Sequence, residues 1–342
     1  MKITPLMVFL IAGLGLFSCS DDRASPTTSY TTAEAFLESE GFVGTILVKK
    51  NGVDTLRKGF GFANKELPLP NGINTRYRVG SLSKTLTALA IVQLKNSGEI
   101  SDYDTPVSEF IPDYPGGEKI TIRHLLTHRS GIPEFFNGVD HHHTFSPLEL
   151  VNLSKNSPLE FEPGEKYSYS NSNYILLGYL IELLSGQSYT EFLSRNILEP
   201  LGMDATTYGS SEILDSGHAT GYKGAQQAEP AKYIDMSIPY SAGALSSNLA
   251  DLEVWSESFA KELLVSTADK KDIFIDDGYG FGWVTTSVAG KKVITQSGGI
   301  YGFSALIIIF PEENSLIIGL TNLEGEQANL KRMAAIIAEN EF

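Results

Sequence analysis

The sequence predicts an α+β fold of the α/β sandwich type: an antiparallel sheet built from N- and C-terminal strands, flanked by helices, with an all-helical region inserted between them. Three observations carry this. β-rich runs lie near the two ends of the 342-residue chain, at Val43 to Lys50 and Asp54 to Phe62, and again from Gly282 to Thr321. The stretch between them spaces its apolar residues at helical intervals, broken by Gly, Pro and Asn. Tight-turn signals join the strands at each end: Asn51-Gly52, Ala289-Gly290 and Pro311-Glu312-Glu313-Asn314.

Taken in order, the chain opens on what reads as a targeting segment. Met1-Lys2 is a short positive start, and Leu6 to Phe17 is an uncharged run, too short to span a bilayer comfortably. It ends at Leu16-Phe17-Ser18-Cys19, which resembles a bacterial lipobox, with Phe17 where a small residue is commonest. Residues 1–19 are therefore expected to be a lipoprotein signal peptide, with Cys19 becoming the lipidated first residue of the mature protein. An acyl anchor holds a protein on a membrane without spanning it. Residues 20–32, rich in Ser, Thr, Asp and Pro, read as a flexible tether.

The remaining chain, 33–342, reads as one domain, with sheet parts at about 33–80 and 265–342 and the helical insertion at about 81–264. A first helix is expected at Ala33 to Glu40. After the N-terminal strands the period becomes helical from Leu82 through Leu86, Leu89 and Leu94, with Gly98 as its stop. Further helices are expected at Ile122 to Thr127, Pro147 to Ser154, Asn173 to Leu184, Tyr189 to Ile197 and Leu249 to Leu264. Strands follow at Gly282 to Val288, Lys291 to Gln296, Ser304 to Phe310 and Ser315 to Thr321, then a last helix at Glu326 to Glu339.

Charge and cysteine usage exclude several functions. Acidic residues exceed basic ones, 41 − 26 = 15, and a net charge of −15 repels phosphate backbones, so no nucleic-acid partner is expected. Cys19 is the single cysteine, so neither an internal disulfide nor a cysteine metal site is possible. Asp140-His141-His142-His143 lacks the spacing that converges ligands on one ion and reads as a solvated loop. His124 and His128 are four apart, but no HExxH glutamate follows His124. Phe135, Phe136 and Tyr301 suit either a pocket lining or core packing.

The chemistry lies in three short peptides. In Ser81-Leu82-Ser83-Lys84, three-residue spacing on a helix brings both side chains to one face, and a serine hydroxyl needs such a neighbour to become a nucleophile. The lysine acts either as a base with a lowered pKa or as a charged assistant, and the sequence leaves both open. The motif alone is weak: on the order of two matches are expected by chance, and there are two. The second, Ser258-Phe259-Ala260-Lys261, reads as the solvated face of an amphipathic helix. Tyr169-Ser170-Asn171 follows the turn signal Pro163-Gly164 and is expected on a loop, where a tyrosine can relay a proton. Gln296-Ser297-Gly298-Gly299 ends an expected strand, and its glycines permit close approach of a substrate backbone.

In this order and company the chain resembles the serine β-lactamase and penicillin-binding-protein-like hydrolases, on the branch of class C β-lactamases, D-amino-acid peptidases and related esterases. The resemblance runs from about Phe42 to Met333 and includes His124-Leu125-Leu126-Thr127-His128-Arg129-Ser130-Gly131-Ile132-Pro133, Pro200-Leu201-Gly202-Met203 and Ala242-Gly243-Ala244-Leu245. It implies the β-lactamase/transpeptidase-like fold and an acyl-enzyme: Ser81 attacks a carbonyl, Lys84 and Tyr169 handle the proton, and the N–H groups of Ser81 and Gly299 hold the oxyanion. Tyr169 would then serve as base for water. Asn171, Gln296, Ser297, Gly298 and Gly299 would bind substrate. No metal or organic cofactor is implied.

Gln296 departs from the pattern, since relatives carry lysine or histidine there, a cation for a substrate carboxylate. Loss of a charge-assisted bond costs about 1–3 kcal/mol. The expected activity therefore moves away from efficient β-lactam turnover toward ester or amide hydrolysis. The expected partners are a small-molecule or short peptide substrate, with cell-wall fragments among the candidates, and the membrane through the anchor. The expected location is the bacterial envelope: outer membrane, periplasmic side or cell surface. The alternatives are a non-catalytic binding or sensing module of the same fold and a cell-wall transpeptidase or carboxypeptidase.

Overall fold

A computed structural model describes residues 30–135, 139–209, 217–224 and 227–342. The expected leader, Cys19, most of the tether and Phe136 lie outside the described residues. Seven strands form one antiparallel sheet: β1 Gly44–Lys50, β2 Val53–Phe60, β3 Gly278–Tyr279, β4 Val284–Val288, β5 Lys291–Ile300, β6 Phe303–Phe310 and β7 Ser315–Thr321. Their order across the sheet is β3-β4-β5-β6-β7-β1-β2, so the N-terminal hairpin completes a sheet begun by the C-terminal meander. At the β1–β2 turn, Asn51 and Gly52 take φ of 51° and 78°, the pair of positive values that a two-residue hairpin favours.

Alternation along the strands builds a core on each face. Ile46, Val48, Leu306, Ile308, Phe310 and Ile317 pack under the helices Ala33–Ser39 and Gln327–Glu341. Leu47, Ala305, Ile307, Leu316, Ile318 and Leu320 face the helical region, whose own core is centred on Ser83–Asn96 and Asn171–Ser185. Leu306 to Phe310 is thus a buried strand with both faces covered. Among the described residues no helix is long and apolar enough to cross a membrane.

The differences from expectation have local causes. The helix expected from Asn173 begins at Asn171, so Asn171 lies on a helix and not on a loop. Its first N–H is capped by the Glu134 carboxylate, 37 residues away in sequence, which no local signal announces. Strand β5 runs through Gln296-Ser297-Gly298-Gly299 to Ile300, because pairing from Gln296↔Ile307 to Ile300↔Phe303 overrides the weak strand preference of the two glycines. The helix from Leu249 stops at Ala260, with Glu262 in the left-handed region just beyond. Tyr189 opens a short α-turn that continues as a π-turn, Ser194–Leu198. Helices Tyr240–Gly243 and Thr267–Ile273 were not expected. Ser258 is no solvated residue: it is buried and bonds the Trp255 carbonyl of its own helix, whereas Lys261 is exposed and pairs with Glu257.

Candidate active site

The chain reaches Ser81 through a 3-10 turn, Gly80–Leu82, that runs into the helix Ser83–Asn96. Gly80 has φ of +53°, and a Cβ there would lie 2.8 Å from the Gly299 nitrogen. A Cβ on Gly298 would lie 1.9 Å from the Val79 oxygen and 3.0 Å from the Ser81 nitrogen. The Ser81 turn is therefore pressed against β5 backbone to backbone. Strand β4 ends opposite Thr295, so beyond that point β5 is paired on its β6 side only, and its other edge is left to the Ser81 turn. This arrangement brings the Gly299 nitrogen against Gly80 and the Ser81 nitrogen against Gly298, the closeness that a pair of oxyanion donors requires.

Ser81 Oγ lies 2.8 Å from Tyr169 Oη and 3.0 Å from Lys84 Nζ. Lys84 is wholly buried and also donates to Asn171 Oδ1 and the Ala242 carbonyl, each at 2.7 Å. Burial pushes its pKa down to about 7, partly opposed by the Glu134 charge. A neutral amine has two N–H groups and one lone pair. The two 2.7 Å bonds occupy the N–H groups, which leaves the lone pair for the serine proton. In that neutral form Lys84 has the geometry of a base toward Ser81.

Tyr169 is held from behind by His128. The His128 carbonyl accepts from Ser168 N–H at 2.9 Å and its Nδ1 from Ser170 N–H at 3.2 Å, one on each side of the tyrosine. The imidazole lies 4.3 Å from the Tyr169 ring, centroid to centroid. Burial, reinforced by the nearby Lys84 charge, holds His128 neutral. Burial also raises the Tyr169 hydroxyl well above its ordinary pKa, against the bond from Ser81. At rest Tyr169 is therefore a neutral phenol.

Asn171 is bonded within the protein, with Oδ1 on Lys84 and one Nδ2 bond to Glu134 Oε2 at 2.8 Å. Gln296, another expected substrate contact, is also bonded within the protein. It is buried, its Nε2 donates to the Gly282 carbonyl at 2.8 Å and to Tyr279 Oη at 3.3 Å, and its Oε1 accepts the Ser297 N–H. A buried neutral amide needs partners of this kind. Of the expected strand residues, Gly298 and Gly299 meet the Ser81 turn directly.

Sequence reasoning missed Glu134 and the Ala242 carbonyl as parts of the site. The only signal for Glu134 was its place directly after Pro133. A cavity of about 350 Å³ opens beside it, lined by Phe135, Val139, Phe145 and Leu153. His124 closes a capping box with Thr121. The rings of His141, His142 and His143 pack on Tyr301, Tyr233 and Phe145. Among the described residues no three metal-ligating side chains gather.

Comparison with known proteins agrees with this geometry. The beta-lactamase family model matches residues 31–341. Penicillin-binding protein 4* of Bacillus subtilis is 31% identical, over 90% of this chain and 75% of its own length. A penicillin-binding protein from Bacillus halodurans superposes with a TM-score of 0.79 at 26% identity, covering 91% of this chain and 99% of that one. A D-stereospecific amidohydrolase from Streptomyces sp. gives 0.75 at 25% identity, covering 90% and 98%.

Proposed function

This chain belongs to the beta-lactamase family of serine hydrolases, and from that premise we propose that it cleaves a small ester or amide through an acyl-enzyme on Ser81. One observation carries the reading: Ser81 Oγ lies within hydrogen-bond reach of both a buried, pKa-lowered lysine and a protonated tyrosine. Lys84 takes the serine proton as the hydroxyl attacks the carbonyl carbon. Tyr169 passes a proton to the leaving oxygen or nitrogen and takes back the one that Lys84 holds, and the amides of Ser81 and Gly299 bind the oxyanion. Water then cleaves the acyl ester, returning the serine. The test is a fluorophosphonate probe followed by peptide mapping. Adduct on the Ser81 peptide is expected, and no adduct, or adduct elsewhere, sinks the reading.

The preferred substrates lack a terminal carboxylate, because Gln296 offers no charge and its donors are already engaged. D-amino-acid amides and short-chain esters come first in the panel, in line with the D-stereospecific amidohydrolase likeness. Gln296→Lys is expected to raise the rate of acylation by a penicillin about tenfold, the worth of one charge-assisted bond. An unchanged rate, measured by intact mass against time, removes the carboxylate argument. Attachment to the envelope through acylated Cys19 remains part of this proposal, supported by the Leu16-Phe17-Ser18-Cys19 sequence. The full chain should enter the detergent phase on Triton X-114 partition and Cys19→Ala should not; equal partition of the two counts against the anchor.

A further inference from the structure

Glu134 stands one residue removed from the nucleophile's base. A single oxygen, Oε2, accepts both the backbone N–H and the side-chain Nδ2 of Asn171, each at 2.8 Å. Its other oxygen accepts the Phe135 N–H at 3.0 Å. A side-chain amide can turn end for end, and its neighbours decide which end points where. A carboxylate only accepts, so it draws the Nδ2 end toward itself. The Oδ1 end is thereby turned to Lys84, where it occupies one of the two N–H groups of the amine. With the amide reversed, two donors would face each other across that gap.

Charge follows the same path. The groups packed around Lys84 are Ser81 and Tyr169, Tyr174 and Asn171 on the Asn171–Ser185 helix, the Ala242 carbonyl, and His128 and Glu134 on the segment before it. Burial keeps the tyrosines protonated and the histidine neutral. Glu134 is the one carboxylate among them, and its charge opposes the effect of burial on Lys84.

Resting on the hydrolase reading above, we propose that Glu134 is a positioning residue of this site: its carboxylate locks the Asn171 amide with Oδ1 toward Lys84 and supplies the negative charge that Lys84 faces. Its carboxylate also caps the first turn of the helix that carries Asn171, so helix start and amide orientation are fixed by one group.

Two variants separate charge from clamp. Glu134→Gln keeps an acceptor oxygen and removes the charge; Glu134→Ala removes both. The readouts are the pH dependence of the fluorophosphonate labelling rate and the NMR titration of Lys84 in 13Cε-lysine-labelled protein, assigned with Lys84→Arg. In Glu134→Gln the Lys84 midpoint is expected to fall by about half a pH unit or more, with the acid limb of labelling moving alongside it. In Glu134→Ala the alkaline plateau is expected to fall about tenfold, as the unclamped Asn171 amide turns away. A merely structural role would lower thermal stability without moving the midpoint. An unmoved midpoint in Glu134→Gln, or a Glu134→Ala plateau within about twofold of wild type, overturns the proposal. If the wild type takes no label, the hydrolase reading fails, and the NMR midpoint still decides the role of Glu134.

Discussion

Lys84→Met is expected to lower the rate of Ser81 acylation about 10²–10⁴-fold at pH 8, the range that a positioned general base supplies. Methionine is close to lysine in length and suits a buried position, so the loss reports on chemistry more than on packing. The wild-type rate should also depend on pH in a defined direction. A lysine held near pKa 7 by burial is neutral above that pH and protonated below it. Acylation should therefore be level above about pH 8 and fall about tenfold per unit well below pH 7. In Lys84→Met that acid limb should vanish, leaving a low, flat profile. Second-order labelling rates between pH 5 and 9, with Ser81→Ala as the floor, measure both features. A wild-type profile that rises only near pH 10, the ordinary lysine range, would show that burial does not tune this residue.

Gly298→Ala is expected to disable the site from the strand side. The new methyl would sit 1.9 Å from the Val79 oxygen and 3.0 Å from the Ser81 nitrogen, and both neighbours are backbone. Neither can rotate away, so β5 and the Ser81 turn must separate. A displacement of roughly 1 Å at reacting groups costs about 10²-fold in rate. Overpacking of this kind costs about 1–3 kcal/mol, read as a fall of several degrees in melting temperature. Gly319→Ala is the control in the same sheet, since its methyl meets only the tip of Leu330 at 3.2 Å. Equal labelling rates for the two alanine variants would mean that the contact between β5 and the turn is not needed for catalysis.

Much of the architecture was readable because its signals are local. Asn51-Gly52 dictates a hairpin from two residues, and the short, unbroken, Ile-rich apolar run from Ala305 to Phe310 between turn signals describes a buried strand. The same locality misled at two places. Gly298 and Gly299 look like a strand end, yet pairing with β6 carries the strand through them to Ile300. Asn171 looks like a loop residue, yet a carboxylate from another segment makes it the first residue of a helix. Ser258 was misjudged for a related reason, since the helical period does not say how wide the buried stripe is.

The sequence by itself determined the sheet-and-helix order and the set Ser81, Lys84 and Tyr169. Those depend on spacing along the chain and on residue type, both of which are written in one dimension. What buries Lys84 and lowers its pKa, and what aligns it, only the tertiary structure decided. Desolvation is a property of everything packed around a group, and the fall of Lys84 toward pKa 7 comes from residues as far along the chain as Ala242. Glu134 and the inward-turned amide of Gln296 belong to the same class, because a hydrogen bond between distant segments leaves no trace in either segment alone.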